Sequence, residues 1–261
     1  MGLALKMAGM DGVPSDSGVF VSGRNLRKAL FSIDVTTSEL LLAKELGCDL
    51  VIGHHPIGRA VIDFPKVVTR HIGFMVEKGV PRRVAEKATN MLIRKLEVRR
   101  HPSNYQHVVS AAQELGIPLM NIHLPIDEIT RRFLLDRIGS SGAKTTGELV
   151  RKLQRIPEFR NAATRIELMM GRPGSKLGRW VLVFAAGTNG GYPVAKAYFD
   201  YGVGTVIYLH IEYEELLRLR KDCKGNLIIL GHMAGDSIGT NIFLRELAKR
   251  GVQSVKIGVL A

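Results

Sequence analysis

Four of the eight histidines stand directly behind short apolar runs: His54 and His55 after DLVIG, His123 after PLMNI, and His232 after NLIILG. In an open α/β sheet the binding crevice lies outside the carboxyl ends of the parallel strands, so histidines at several strand ends converge there. Two of them carry a carboxylate four positions on, giving His123 with Asp127 (HLPID) and His232 with Asp236 (HMAGD). On a helix, positions i and i+4 share a face and can reach one ion. Taken one pair at a time, a plain His–Asp hydrogen bond is the simpler account. Pro125 argues against a helix at the first pair, so a turn is expected to bring Asp127 inward. Gly231 and Gly235 around the second pair predict close backbone packing or a helix start near Asp236.

The adjacent His54 and His55 are the sharper signal. Neighbours on a strand point to opposite faces, so both serve one site only where the strand has ended, and Pro56 helps to hold such a bend. Two imidazoles leaving a bend in different directions can each meet a different metal ion. With Asp127, His232 and Asp236 they form a nitrogen and oxygen set free of thiolate. Such a set suits zinc, manganese, iron, cobalt or nickel and argues against copper(I) and iron–sulfur clusters.

The elements that must position these groups read as α/β. Ala29–Val35 is an apolar strand-like run, and Thr36, Thr37 and Ser38 with Glu39 supply N-cap chemistry for a helix over Ser38–Leu46 that stops at Gly47. Cys48–Gly53 follows as a strand, and strand–helix–strand with such short links implies a parallel sheet. Helical pattern dominates from Ile57 to Pro118, where Pro81–Arg100 carries Val84, Ala88, Met91, Leu92 and Leu96 at helical spacing. Further strands are expected at Pro118–His123, Trp180–Ala186, Thr205–Leu209 and Asn226–Leu230. Helices are expected after the Gly187–Gly191 turn, over Glu212–Arg220, and from about Ser237 to Arg250. The glycine turn could cradle a phosphate at a helix start, but it matches no phosphate-loop spacing, and a plain tight turn is the simpler reading.

The chain has 261 residues, with 46% hydrophobic and 23% charged, ordinary globular values that exclude an intrinsically disordered chain. Cys48 and Cys223, its two cysteines, cannot build a disulfide framework. No apolar run reaches the roughly eighteen residues of a membrane span, and the opening MGLALKMAGMDG has one Lys and too short an apolar stretch for a signal peptide. The expectation is a cytoplasmic protein with no membrane partner. Lys and Arg number 37 against 24 Asp and Glu, a formal charge of +13. That surplus favours anionic partners, either a phosphorylated or nucleotide-like small molecule or a nucleic acid. The Pro81–Arg100 stretch is the densest basic segment; a solvated helix face is a simpler account of it than a nucleic-acid stripe, and aromatic interleaving is sparse.

Taken together, LFSIDVTTSELLLAKELGCDLVIGHHP, the His123 and Asp127 pair, the late GHMAGD and the upstream SDSGVFV (Ser15–Val21) resemble the Nif-three-like family of dinuclear-metal proteins. Members of that family show HHP after a strand, an HTNxD segment, a terminal GHxxxE and a WDNxGLxV opening. The resemblance runs in the right order from about Ser15 to the C-terminus. It implies two α/β domains with mainly parallel sheets and a metal site in the cleft between them. By this reading residues 1–128 and about 226–261 form the first domain, and about 129–225 the second. It implies two divalent metal ions per chain, held by His54, His55, Asp127, His232 and Asp236, with His123 at the site as ligand, supporting group or proton carrier. It further implies a homo-oligomer, a ring-shaped hexamer, and hydrolysis of cyclohydrolase or phosphoester type. A non-catalytic basic ring that binds nucleic acid or protein, or a metal-storage or delivery protein, are the alternative roles. Departures mark a divergent branch: Asp236 replaces the usual Glu, and Leu124-Pro125-Ile126 replaces the polar residues that follow the family's histidine.

Overall fold

The computed structural model describes all residues from Met1 to Ala261. Nine strands form two sheets: β1 (Gly18–Val21), β2 (Lys28–Ser32), β3 (Leu50–Gly53), β4 (Leu119–Asn121), β5 (Glu167–Met170), β6 (Trp180–Leu182), β7 (Thr205–Tyr208), β8 (Asn226–Ile229) and β9 (Gln253–Ile257). The first sheet has the order β1-β4-β3-β2-β9 and the second β5-β8-β7-β6. All pairings are parallel except β1 with β4 and β5 with β8, each an antiparallel strand on the edge of an otherwise parallel sheet. The α/β class read from the sequence is the class observed.

The chain divides into two compact units. The first comprises residues 1–67, 97–130 and 236–259, and the second residues 68–96, 131–235 and 260–261. Residues 226–235, expected in the first domain, lie in the second unit because β8 pairs there with both β5 and β7. Residues 68–96 join it as well, whereas β9 returns the chain terminus to β2 in the first unit.

Period-two alternation explains how the first sheet is covered on both faces. Phe31, Ile52 and Ile122 point one way and pack with Ile126, Ile129, Phe243 and Leu244, from the helices Leu124–Gly139 and His232–Ala248. Leu30, Val51 and Leu119 point the other way, onto Leu40 and Ala43 of the helix Thr37–Glu45 and Val109 and Ala112 of the helix His107–Leu115. The Thr37 helix begins as its cap residues require, with the Thr36 N–H donating to Glu39 Oε2 at 2.7 Å. It ends through Gly47 at φ +62°, which lets the Cys48 N–H reach the Ala43 carbonyl at 2.8 Å.

In the second unit, β7 and β8 are buried along their whole length, and the helix Gly191–Asp200 packs its Tyr198 into the interior. The basic helix Arg82–Arg100 buries Ala85, Ala88, Thr89 and Leu92. Several of its charges are paired: Arg82 with Glu86 at 3.3 Å, and Lys95 with Glu212 at 3.0 Å and Glu215 at 2.8 Å. No helix is long and apolar enough to cross a membrane.

Candidate metal centre

Three neighbouring parallel strands of the first sheet end at one place, and each delivers a polar side chain just past its last residue. β2 is followed by Asp34, β3 by His54 and His55, and β4 by His123. The backbone holds them there: the His54 and His55 N–H groups donate to the Ser32 and Ile33 carbonyls, both at 2.9 Å, one step beyond the β3 ladder. The bend expected after β3 is present, and both imidazoles serve one site.

The carboxylates arrive from two helices. Contrary to the expectation of a turn, Asp127 stands in the first turn of the helix Leu124–Gly139, and the Ile126 and Asp127 N–H groups both reach the His123 carbonyl at 3.0 Å. Pro125 is accommodated because N–H groups of a first turn have no partner within the helix. Asp236 stands on the helix His232–Ala248, which starts about five residues ahead of the expected Ser237. Gly235 lies inside that helix, where a side chain would run into Leu209 at 2.5 Å. One turn further on, Gly239 passes against the Leu124 helix: its N–H donates to Thr130 Oγ1 at 2.9 Å, and an added Cβ would stand 3.1 Å from Ile126 Cγ2. That close approach fixes the spacing of the two helices within the first unit.

The result is two overlapping groups of potential ligand atoms, His54 with His123 and Asp127, and His54 with His55 and Asp236. Within each group the atoms lie within 4.8 Å of one another. His54 Nε2 is 3.4 Å from Asp127 Oδ1 and 3.6 Å from Asp236 Oδ2, buried and without a well-aligned hydrogen bond. His55 Nε2 is 3.3 Å from Asp236 Oδ2, and His123 Nε2 is 3.8 Å from Asp127 Oδ2.

The opposite ring nitrogens are all occupied. His54 Nδ1 is 3.1 Å from the Ile122 carbonyl, His55 Nδ1 is 2.6 Å from Asp34 Oδ1, and His123 Nδ1 is 2.7 Å from Asp16 Oδ2. An Nδ1–H held by an oxygen acceptor leaves the Nε2 lone pair facing inward, the arrangement typical of metal-ligating histidines. Burial alone would push the His54 and His123 imidazoles down. The carboxylates reverse this, Asp236 and Asp127 holding His54 well above the usual histidine range, and Asp127 and Asp16 raising His123. A proton thus stands in for positive charge that the buried carboxylates demand. Buried imidazoles and carboxylates that converge in this way fit a divalent cation, and these groups can hold a metal ion.

His232 lies in the second unit, at the first position of its helix, with its ring centroid 4.8 Å from that of His210. The other five expected residues, His54, His55, His123, Asp127 and Asp236, come together in the first unit. Asp16 and Asp34 were not singled out by the sequence. Asp34 carried a usable signal, an acid closing a strand-like run beside the HHP strand end. Asp16 precedes the antiparallel β1, where no strand-end rule applies, and its signal was its place in the SDSGVFV segment that resembles the family's WDNxGLxV opening. The Gly187–Gly191 turn closes on itself: the Gly191 N–H donates to Asn189 Oδ1 at 3.0 Å and the Gly190 N–H to Thr188 Oγ1 at 3.4 Å. It is a tight turn rather than an open cradle.

No protein-family model matches the chain, and no curated protein matches it. Among solved structures, it is similar to a NIF3 superfamily protein from Sphaerobacter thermophilus, with 44% identity and a TM-score of 0.96 over 99% of this chain and 96% of that one. Reduced HcgD from Methanocaldococcus jannaschii shares the fold at 11% identity, with a TM-score of 0.60 over 98% of this chain and 93% of that chain. A Bacillus cereus protein related to NIF3 does so at 10% identity and a TM-score of 0.59, covering 100% and 94%.

Proposed function

The chain belongs to the NIF3 superfamily, and from that premise we propose that it is a dinuclear metal-dependent hydrolase acting on an anionic substrate of phosphorylated or nucleotide-like chemistry. The observation that supports this most is the sharing of His54 by two ligand groups. Two carboxylates flank that buried imidazole, each with a further histidine beyond it, and this pair of His–Asp sets supports a reading with two neighbouring cations. The residues that would hold them are His123 with Asp127 on one side and His55 with Asp236 on the other, and His54, whose Nδ1 faces the Ile122 carbonyl, would give its one inward Nε2 lone pair to one of the two. Two divalent ions bound there supply Lewis acidity toward a phosphoryl or carbonyl oxygen and acidify a water at neutral pH.

The protein's own contribution is charge, orientation and enclosure. Asp127 and Asp236 provide the negative charge that makes the pocket cation-selective. Asp34, Asp16 and the Ile122 carbonyl fix which nitrogen of each ring faces inward. Asp236 in place of a glutamate shortens the reach from its helix by one methylene and asks for a tighter approach to His55. The excess of 37 basic over 24 acidic side chains favours the approach of an anion.

The test begins with elemental analysis of protein purified without chelator, beside His55→Ala and Asp236→Ala. Two transition-metal equivalents per chain are expected, with at least one lost in each variant. Nucleotides and phosphoesters are then screened with Mn²⁺ or Zn²⁺. Turnover that requires the metal and falls in both variants supports the hydrolase, whereas a metal-replete protein inert toward the whole panel overturns it.

A further inference from the structure

The three histidines of the centre are held from behind by three different acceptors, and the differences are informative. His54 leans on a backbone carbonyl. His55 is held by Asp34, a side chain 78% exposed to solvent. His123 is held by Asp16, whose side chain is 0% exposed and lies in a segment outside the strand ends that build the site. The only basic group at ion-pair distance from Asp16 is that imidazole. A carboxylate buried against a single imidazole is costly to fold around, and its geometry here is unusually complete. Its neighbour Ser17 accepts the His123 backbone N–H at 2.9 Å on Oγ, whose own hydroxyl donates to Asp16 Oδ1 at 3.2 Å. The Asn121 side chain donates to the Asp16 carbonyl at 2.8 Å. Ser17 and Asp16 therefore grip His123 at the backbone and at the ring, while Phe64 flanks the ring with centroids 5.7 Å apart.

We propose that Asp16 is the positioning residue of this centre, holding the proton on His123 Nδ1 so that His123 Nε2 serves beside Asp127 as a metal ligand rather than as a mobile proton carrier. The inference rests on the metal-centre reading above and deepens it. A ring whose Nδ1 is tied to a buried carboxylate, whose backbone is pinned and whose side chain is 8% exposed has little freedom to swing. Its one remaining nitrogen points at a carboxylate already placed for an ion. Asp16 thereby does for His123 what a carbonyl does for His54, with a full negative charge that raises the donor strength of the imidazole.

Asp16→Asn preserves shape and removes the charge. Zinc binding is measured by competition with a chromophoric chelator, and the cobalt-loaded protein is examined for its visible ligand-field bands. Asp16→Asn is expected to weaken one zinc equivalent about 10- to 100-fold and to alter the cobalt bands. In zinc-loaded wild-type protein carrying ¹⁵N-histidine, His123 should show a protonated Nδ1 and a metal-bound Nε2, and this measurement decides the matter if the variant fails to fold. Zinc affinity within twofold of wild type with unchanged cobalt bands in a folded Asp16→Asn protein, or a His123 Nε2 untouched by zinc, overturns the assignment. Wild-type protein that binds no zinc sinks this inference and the metal centre together. Protein that binds two ions with the expected His123 signature but hydrolyses nothing sinks the hydrolase alone.

Discussion

Lowering the pH should weaken the second unit through one side chain, His71. It lies on the helix Arg70–Glu77 with 0% exposure, and neither ring nitrogen has a well-aligned hydrogen bond. Burial pushes its pKa from 6.5 down to about 4, against an upward pull from the backbone at Thr188. The unfolded chain therefore binds this proton before the native state does. Stability rises with pH wherever the unfolded state holds more protons, so it is complete above about 6.5 and falls as the pH drops toward 4. The full interval, at about 1.4 kcal/mol per pK unit, corresponds to roughly 3 kcal/mol, of which about 2.5 kcal/mol is gone by pH 4.5. His71→Leu removes the titration and keeps an apolar side chain of similar size in the buried position. The single tryptophan, Trp180, sits in β6 of the same unit and reports its unfolding. Urea curves followed by its fluorescence at pH 7.5 and 4.5, for wild type and His71→Leu, give a difference of differences in which other titrating groups cancel. Wild type should lose about 2.5 kcal/mol more than the variant. Parallel losses in the two proteins would refute the buried, neutral imidazole.

Two further substitutions probe how the site is framed. Gly239→Ala puts a methyl against the Ile126 carbonyl and Thr130 of the neighbouring helix, so it should cost about 1–3 kcal/mol by denaturant titration and reduce the metal content that depends on Asp127 and Asp236. An unchanged denaturation midpoint would show that the helices have room to part. Thr36→Ala removes the side-chain cap of the Thr37 helix and should lower the stability of the first unit by about 1 kcal/mol with metal content unchanged. A loss of metal in that variant would tie the cap to the site instead.

The sequence made the α/β class legible because short apolar runs, N-cap residues and terminal glycines recur in the right order, and each is a local signal. It also pointed to His54, His55 and His123, since residues just past buried parallel strands converge by topology alone. Elements with weaker patterns escaped. β9 lies on a sheet edge with only exposed and half-buried positions and has no apolar run to announce it, and β1 and β5 are short antiparallel edges. The helix start at Leu124 was obscured by Pro125, which reads as a breaker until its place in the first turn is known.

What the sequence determined alone was the inventory: imidazoles and carboxylates without thiolate, set at strand ends, in an order resembling one family. The folded chain decided how they are used. Gly239 brings two helices close enough for Asp127 and Asp236 to flank one imidazole, and Asp16, 107 residues before His123, turns that ring by a hydrogen bond. Contacts of this kind depend on the relative placement of distant backbone segments. No periodicity or spacing encodes that placement, because it is settled only when the helices pack on the sheet.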